Sequence, residues 1–93
     1  MIDDDSRESN LLIQFPCDFP IKIIGKSGFD FEAEVLTIIR KHIPNLSEGA
    51  IVLTPSEKGN YLSITATVYV ESQAQLDGLY KALVGSKLVM MVL

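Results

Sequence analysis

From Phe19 onward, apolar and polar positions fall into six blocks whose period switches between two and about 3.6 residues, the signatures of strand and helix. Phe19 to Ile24 reads as a strand, entered in extended conformation because Pro16 and Pro20 bracket Cys17 and resist a helix. After the loop Gly25, Lys26, Ser27 and Gly28, the apolar positions Phe31, Val35, Ile38, Ile39 and His42 follow i, i+4, i+7, i+8, i+11 and predict a helix. Asp30 is placed to cap that helix, with Glu32 and Glu34 near its positive end. Arg40 and Lys41 suit the negative end, and Pro44 discourages continuation past His42. A polar connection at Asn45 to Gly49 leads to a short strand, Ile51 to Thr54. The turn residues of Pro55 to Asn60 then predict a hairpin. From Tyr61 to Val70 the alternation is clean: Leu62, Ile64, Ala66, Val68 and Val70 share one face, and Tyr61, Ser63, Thr65, Thr67 and Tyr69 the other. Ser72 with Gln75 forms a capping box before Leu76, Leu79, Tyr80 and Leu83, and Gly85 is the expected stop. Gly78 inside this helix costs about 1 kcal/mol relative to alanine, which implies either close helix packing or, as we prefer, an imperfect site. Leu88 to Leu93 is an unbroken apolar run too short to cross a membrane, expected to be a strand at least partly covered on both faces.

Strand, helix, two strands, helix and strand, in that order, predict an α+β ferredoxin-like βαββαβ sandwich: a four-stranded antiparallel sheet with two helices on one face. The opposite face then has no helix to cover it. Tyr61, Thr65, Thr67 and Tyr69 would lie there beside either Val89, Met91 and Leu93 or Leu88, Met90 and Val92, depending on the parity of the last strand. Either set is apolar, so this face is the expected site for a protein partner or for self-association.

Composition narrows the classes. Ninety-three residues make one domain, and 47% hydrophobic with 22% charged residues is a globular balance. Residues 1–10, with Asp3, Asp4, Asp5, Arg7 and Glu8, read as a flexible acidic tail before a single domain over 11–93. A net charge of −4 argues against a DNA-binding module, whose affinity comes from Lys and Arg on phosphates. Cys17 is the only cysteine, which excludes an intramolecular disulfide. With no apolar span or signal-peptide pattern in the chain, the expectation is a reducing cytoplasm and no membrane association.

Four segments carry a family resemblance: Phe15-Pro16 with Phe19-Pro20, the strand leading to Gly25, the turn Pro55-Ser56-Glu57-Lys58-Gly59-Asn60-Tyr61, and the closing Val89-Met90-Met91-Val92-Leu93. Together they resemble the YbeD-like family of small bacterial proteins over residues 11–93, and the Pro-Ser-x-Lys-Gly-Asn-Tyr turn, with Glu57 at the variable position, is the most specific element. The resemblance implies a ferredoxin-like fold similar to the ACT regulatory domains of amino-acid enzymes, which bind small ligands between paired domains. It implies no reaction. A glycine in the loop after the first strand, matched by Gly25, is the one ACT-like ligand feature, and no longer ACT motif is present.

Two loops have the chemistry to hold a small ligand. Gly25, Lys26, Ser27 and Gly28 precede a helix N-terminus, which offers N–H groups and a positive dipole to an anion, although the spacing is not that of a P-loop. Lys58, Gly59 and Asn60 combine a cation, a freed backbone amide and a side-chain amide, while being equally the residues a hairpin turn requires. The same turn before Tyr61 resembles an RNA-recognition strand, but the aromatic spacing fails beyond Tyr61 and the charge is wrong, so RNA is disfavoured. Cys17 and His42 read better as a packed thiol and a dipole-compatible helix-end group than as a nucleophile and base. No metal-ligand cluster and no cofactor motif occurs. The leading expectation is a non-enzymatic regulatory or adaptor domain binding a protein through the open sheet face or an edge strand. Its rival is a stand-alone ACT-like sensor of a small metabolite such as an amino acid.

Overall fold

The computed structural model describes residues 14–93, so the expected tail over 1–10 lies outside the described residues, as do residues 11–13. Among the described residues six main elements follow in the predicted order: β1 (Cys17–Lys26), α1 (Phe29–His42), β2 (Ile51–Pro55), β3 (Tyr61–Val70), α2 (Gln73–Val84) and β4 (Val89–Val92), with a 3-10 turn at Glu48–Ala50 before β2. The strands form one sheet in the order β2-β3-β1-β4, every neighbouring pair antiparallel. This is the ferredoxin-like sandwich. Ile21 and Ile23 of β1 and Leu62, Ile64, Ala66, Val68 and Val70 of β3 face Phe31, Val35 and Ile39 of α1 and Leu76, Leu79 and Leu83 of α2 in one core.

β1 extends beyond the predicted Phe19 to Ile24 at both ends, and Pro20 sits inside it. A proline there is tolerated because β4 pairs only with the C-terminal half of β1. Lys22 exchanges backbone hydrogen bonds with Leu93, so Pro20, two residues earlier, directs its nitrogen to the same side, past the end of β4, where no N–H is needed.

α1 begins at Phe29, two residues earlier than a cap at Asp30 predicts, with an extended Gly28 as its N-cap and no side-chain cap. Asp30 is therefore not the cap. It lies in the first turn with Glu32, where both carboxylates still favour the positive end of the helix dipole. The capping box of α2 is present: Ser72 Oγ accepts from Gln75 N–H at 3.1 Å. The reciprocal arm reaches one residue further out, Gln75 Oε1 accepting from Glu71 N–H at 2.7 Å. Gln75 Nε2 also donates to His42 O at 3.0 Å, tying the start of α2 to the end of α1.

β4 departs from both predicted parities. Met91 pairs with Ile24 but Val89 with Gly25, so Met90 is a bulged extra residue. The bulge turns Val89 and Val92 toward the core, while Met90, Met91 and Leu93 stay 60%, 52% and 59% exposed. The expected cover on both faces of this run is thus supplied for only one set of its side chains.

Candidate functional site

The two candidate ligand loops meet at one end of the sheet. β1 and β3 run side by side to Lys26 opposite Tyr61, and Ser27 N–H donates to Asn60 O at 3.0 Å, joining the β1–α1 loop to the hairpin turn. The turn is held by Gly59 N–H to Ser56 O (2.9 Å), Ser56 N–H to Tyr61 O (2.9 Å) and Tyr61 N–H to Ser56 Oγ (3.0 Å). Gly59 has φ +76, a left-handed conformation that glycine adopts without a Cβ penalty, so the hairpin itself accounts for it. Lys26, Ser27, Gly28, Lys58, Gly59 and Asn60 are exposed. Gly25 is not: a Cβ at this position would collide with the Phe31 ring and lie 2.6 Å from the Leu88 carbonyl oxygen. Gly25 thus has a packing reason of its own, the close passage of α1 and the β4 entry over the end of β1.

The open face reads across the strands in rows. Val52, Thr65 and Lys22 are successive neighbours, with Lys22 hydrogen-bonded to Leu93 at the β4 edge. Thr54, Ser63, Ile24 and Met91 form the next row. Tyr69 opposite Asp18 and Tyr61 opposite Lys26 close its two ends. Thr65 and Thr67 stand on the same side, so Tyr61, Thr65, Thr67 and Tyr69 do share one face. Of the ten large hydrophobic residues exposed among the described residues, five fall within residues 84–93: Val84, Leu88, Met90, Met91 and Leu93. Apolar exposure is concentrated at the β4 edge and the adjoining end of α2, and sequence parity alone missed this because it could not locate the bulge.

A groove of about 670 Å³ opens at the other end of the sheet, between the α1–β2 connection and the start of β1. Its walls include Asp18, Ile43, Asn45, Thr67, Tyr69 and Glu71, drawn from separate stretches of chain. No Lys or Arg lines it, so its field disfavours anions. No signal in the sequence pointed to it, although Gln75 of the capping box is among its lining residues.

Cys17 and His42 are not arranged as nucleophile and base. Cys17 pairs with Val70 at the start of β1. His42 Nδ1–H donates to Ile38 O at 3.0 Å, and the ring lies against Gly78. Among the described residues no hydrogen bond joins the two, and no group of three or more His, Cys, Asp or Glu is placed to hold a metal ion. Among the same residues no helix is long and apolar enough to cross a membrane. Elsewhere Ser86 Oγ donates to Glu34 Oε2 at 2.9 Å, a link that fastens the α2–β4 connection to α1. Burial raises the pKa of the Tyr80 hydroxyl above its ordinary 10.0.

The model of one protein family spans residues 10–93, nearly the whole of the fold above. The chain belongs to the DUF493 family. That family is described as proteins of unknown function. Its relatives include a UPF0250 protein of Neisseria meningitidis serogroup C, 44% identical over 89 residues that make up 96% of this chain and 98% of that one. A UPF0250 protein of Nitrosomonas europaea is 44% identical over 82 residues, 88% of this chain and 94% of its own. The YbeD-like resemblance and the bacterial setting both hold. Solved structures share the fold at low identity. The ACT domain from GTP pyrophosphokinase of Chlorobium tepidum superposes with a TM-score of 0.64 at 20% identity, covering 83% of this DUF493 chain and 97% of that domain. Protein HP0495 from H. pylori superposes with a TM-score of 0.66 at 13% identity, covering 87% and 85%.

Proposed function

We propose that this DUF493 protein is a non-catalytic regulatory or adaptor domain that docks a protein partner across the open sheet face, toward the β4 edge. One observation carries the reading: the helices bury the core-facing side chains of β1 and β3, while exposed apolar side chains gather on the uncovered side and along β4. Clustered apolar exposure marks interfaces, whereas isolated exposed apolar residues are ordinary. The ACT-like architecture of the structural neighbours agrees with a regulatory role by analogy of fold.

Thr65→Glu tests it. The new carboxylate would stand opposite Lys22 across β1 and β3, so the fold should accommodate it, while a charge enters the centre of the docking face. Capture of the partner on immobilised protein should weaken about tenfold or more, with an unchanged far-ultraviolet circular dichroism spectrum. Undiminished capture by the folded variant would sink the assignment.

A second reading, a sensor of a small metabolite such as an amino acid, draws on the Ser27–Asn60 hydrogen bond that brings both candidate loops together. Titration of the labelled protein with pooled amino acids should then move the amide signals of Gly25–Gly28 and Lys58–Tyr61 together and saturably. Silence at both loops ends that reading.

A further inference from the structure

The groove beside Tyr69 sets an exposed aromatic ring among carboxylates. Asp18 and Tyr69 face each other across β1 and β3. Lys22 exchanges its backbone hydrogen bonds with Leu93, so by antiparallel alternation Asp18, four residues earlier on β1, also turns its N–H and C=O away from β3. Asp18 and Tyr69 are therefore a non-hydrogen-bonded pair, the geometry in which opposed side chains stand closest. The carboxylate thus lies beside a ring that is 51% exposed. Glu71 brings a second carboxylate to the groove. Gln75 lines it too, with its amide held at both ends: Oε1 accepts from Glu71 N–H and Nε2 donates to His42 O, so this wall is fixed before anything binds. Ile43 and Leu46 supply an apolar lining from the α1–β2 connection. Arg40 and Lys41, in the last turn of α1, do not line it.

We infer that this groove receives an arginine side chain from a basic segment of the docked protein. This rests on reading the open face as a docking surface, and it names the chemistry of the partner at one end of that face. Each feature of the groove selects the group. Carboxylates with no Lys or Arg among the described lining residues call for a positive charge. The exposed Tyr69 ring takes a planar guanidinium on its face, and a carboxylate beside it accepts paired N–H bonds, whereas a lysine ammonium is a point charge that is neither flat nor bidentate. The aliphatic stem of arginine packs against Ile43 and Leu46. A volume of about 670 Å³ lies within the roughly 300–1,000 Å³ of ligand sites and is larger than one side chain, so flanking backbone enters as well and meets the hydrogen-bonding side chains of Asn45 and Thr67. Thr67 and Tyr69 belong equally to the open face, so a chain lying on that face reaches the groove directly. The net charge of −4 draws a basic partner from a distance. A free amino acid fits less well, because its own carboxylate would stand among those of Asp18 and Glu71.

Amide spectra of the labelled full chain, recorded while titrating the blocked peptide acetyl-Gly-Arg-Gly-amide, test the inference. The signals of Asp18, Tyr69 and Glu71 should move saturably, with an affinity that falls as salt is raised. The same peptide with citrulline in place of arginine, neutral and of nearly the same shape, should bind about tenfold more weakly or not at all, and the lysine peptide about threefold more weakly. Asp18→Asn and Glu71→Gln keep side-chain size and should each weaken the arginine peptide about threefold, and together about tenfold, while Thr65→Glu should not weaken it. Signals that stay still, a citrulline peptide that binds as well as the arginine one, or free arginine binding more tightly than the blocked peptide each overturn the inference, the last in favour of a small-molecule site. Partner capture lost with Thr65→Glu yet kept by the variant carrying both Asp18→Asn and Glu71→Gln would overturn the groove as the arginine site while leaving the docking reading in place. Capture untouched by either change would remove the two together.

Discussion

Gly25 and Gly78 look alike in the sequence and have opposite structural reasons. At Gly25 a Cβ would run into the Phe31 ring and the Leu88 carbonyl oxygen, and the backbone of a strand and of the β4 entry cannot both give way. Gly25→Ala should destabilise the protein by about 1–3 kcal/mol, read as a lower midpoint in urea unfolding. At Gly78 the nearest atoms to a Cβ are those of the His42 ring, at 3.7 and 3.9 Å, an ordinary van der Waals separation. Nothing in the folded state demands glycine there, as the preferred sequence reading held. Gly78→Ala should raise stability by about 0.5–1 kcal/mol, and an unchanged or lowered thermal midpoint would count against it. The sequence pattern marked Gly25 as a loop residue because its neighbours Lys26, Ser27 and Gly28 are polar and flexible. The ring that fills its Cβ space comes from α1, six residues on, and no local signal announces it.

At the scale of elements, capping and periodicity carried most of the information. α2 starts where Ser72 and Gln75 say it should, and the box gains strength from the extra bond of Gln75 Nε2 to His42 O. Ser72→Ala should cost about 1 kcal/mol by orphaning the Gln75 N–H, measurable as a fall in the thermal midpoint. Ser72→Asp, which restores an acceptor at the cap, should recover most of that loss. α1 shows the limit of the same reasoning. Asp30 is a good capping residue by type, yet the helix begins before it, because Phe31, Val35 and Ile39 set the buried stripe and the extended Gly28 permits an earlier start. The β4 bulge is a second limit. Parity along six apolar residues is undefined without a partner, and the register shift at Gly25 decides which of them point inward.

At the scale of the molecule, one core cluster joins both helices to the sheet, and among the described residues there is no second apolar centre to persist when the first is lost. Thermal unfolding should therefore be a single cooperative step, with the far-ultraviolet signal of the helices and the near-ultraviolet signal of Tyr61, Tyr69 and Tyr80 changing at the same temperature. Separate transitions would show that one helix detaches independently. The docking face was legible in part: the clean alternation of Tyr61–Val70 determines which side chains leave the core, because strand geometry sends successive residues to opposite faces whatever the neighbours. The element order likewise determined the sandwich, since each amphipathic block must bury one face and few connections satisfy that in βαββαβ order. Tertiary structure alone decided the rest. The meeting of the β1–α1 loop at Ser27 with the hairpin, the groove beside Tyr69 and the exposure of Met90, Met91 and Leu93 all depend on segments distant in the chain. Periodicity records which way a residue points within its own element, but which neighbour lies beside it, at what register, is set by packing between elements.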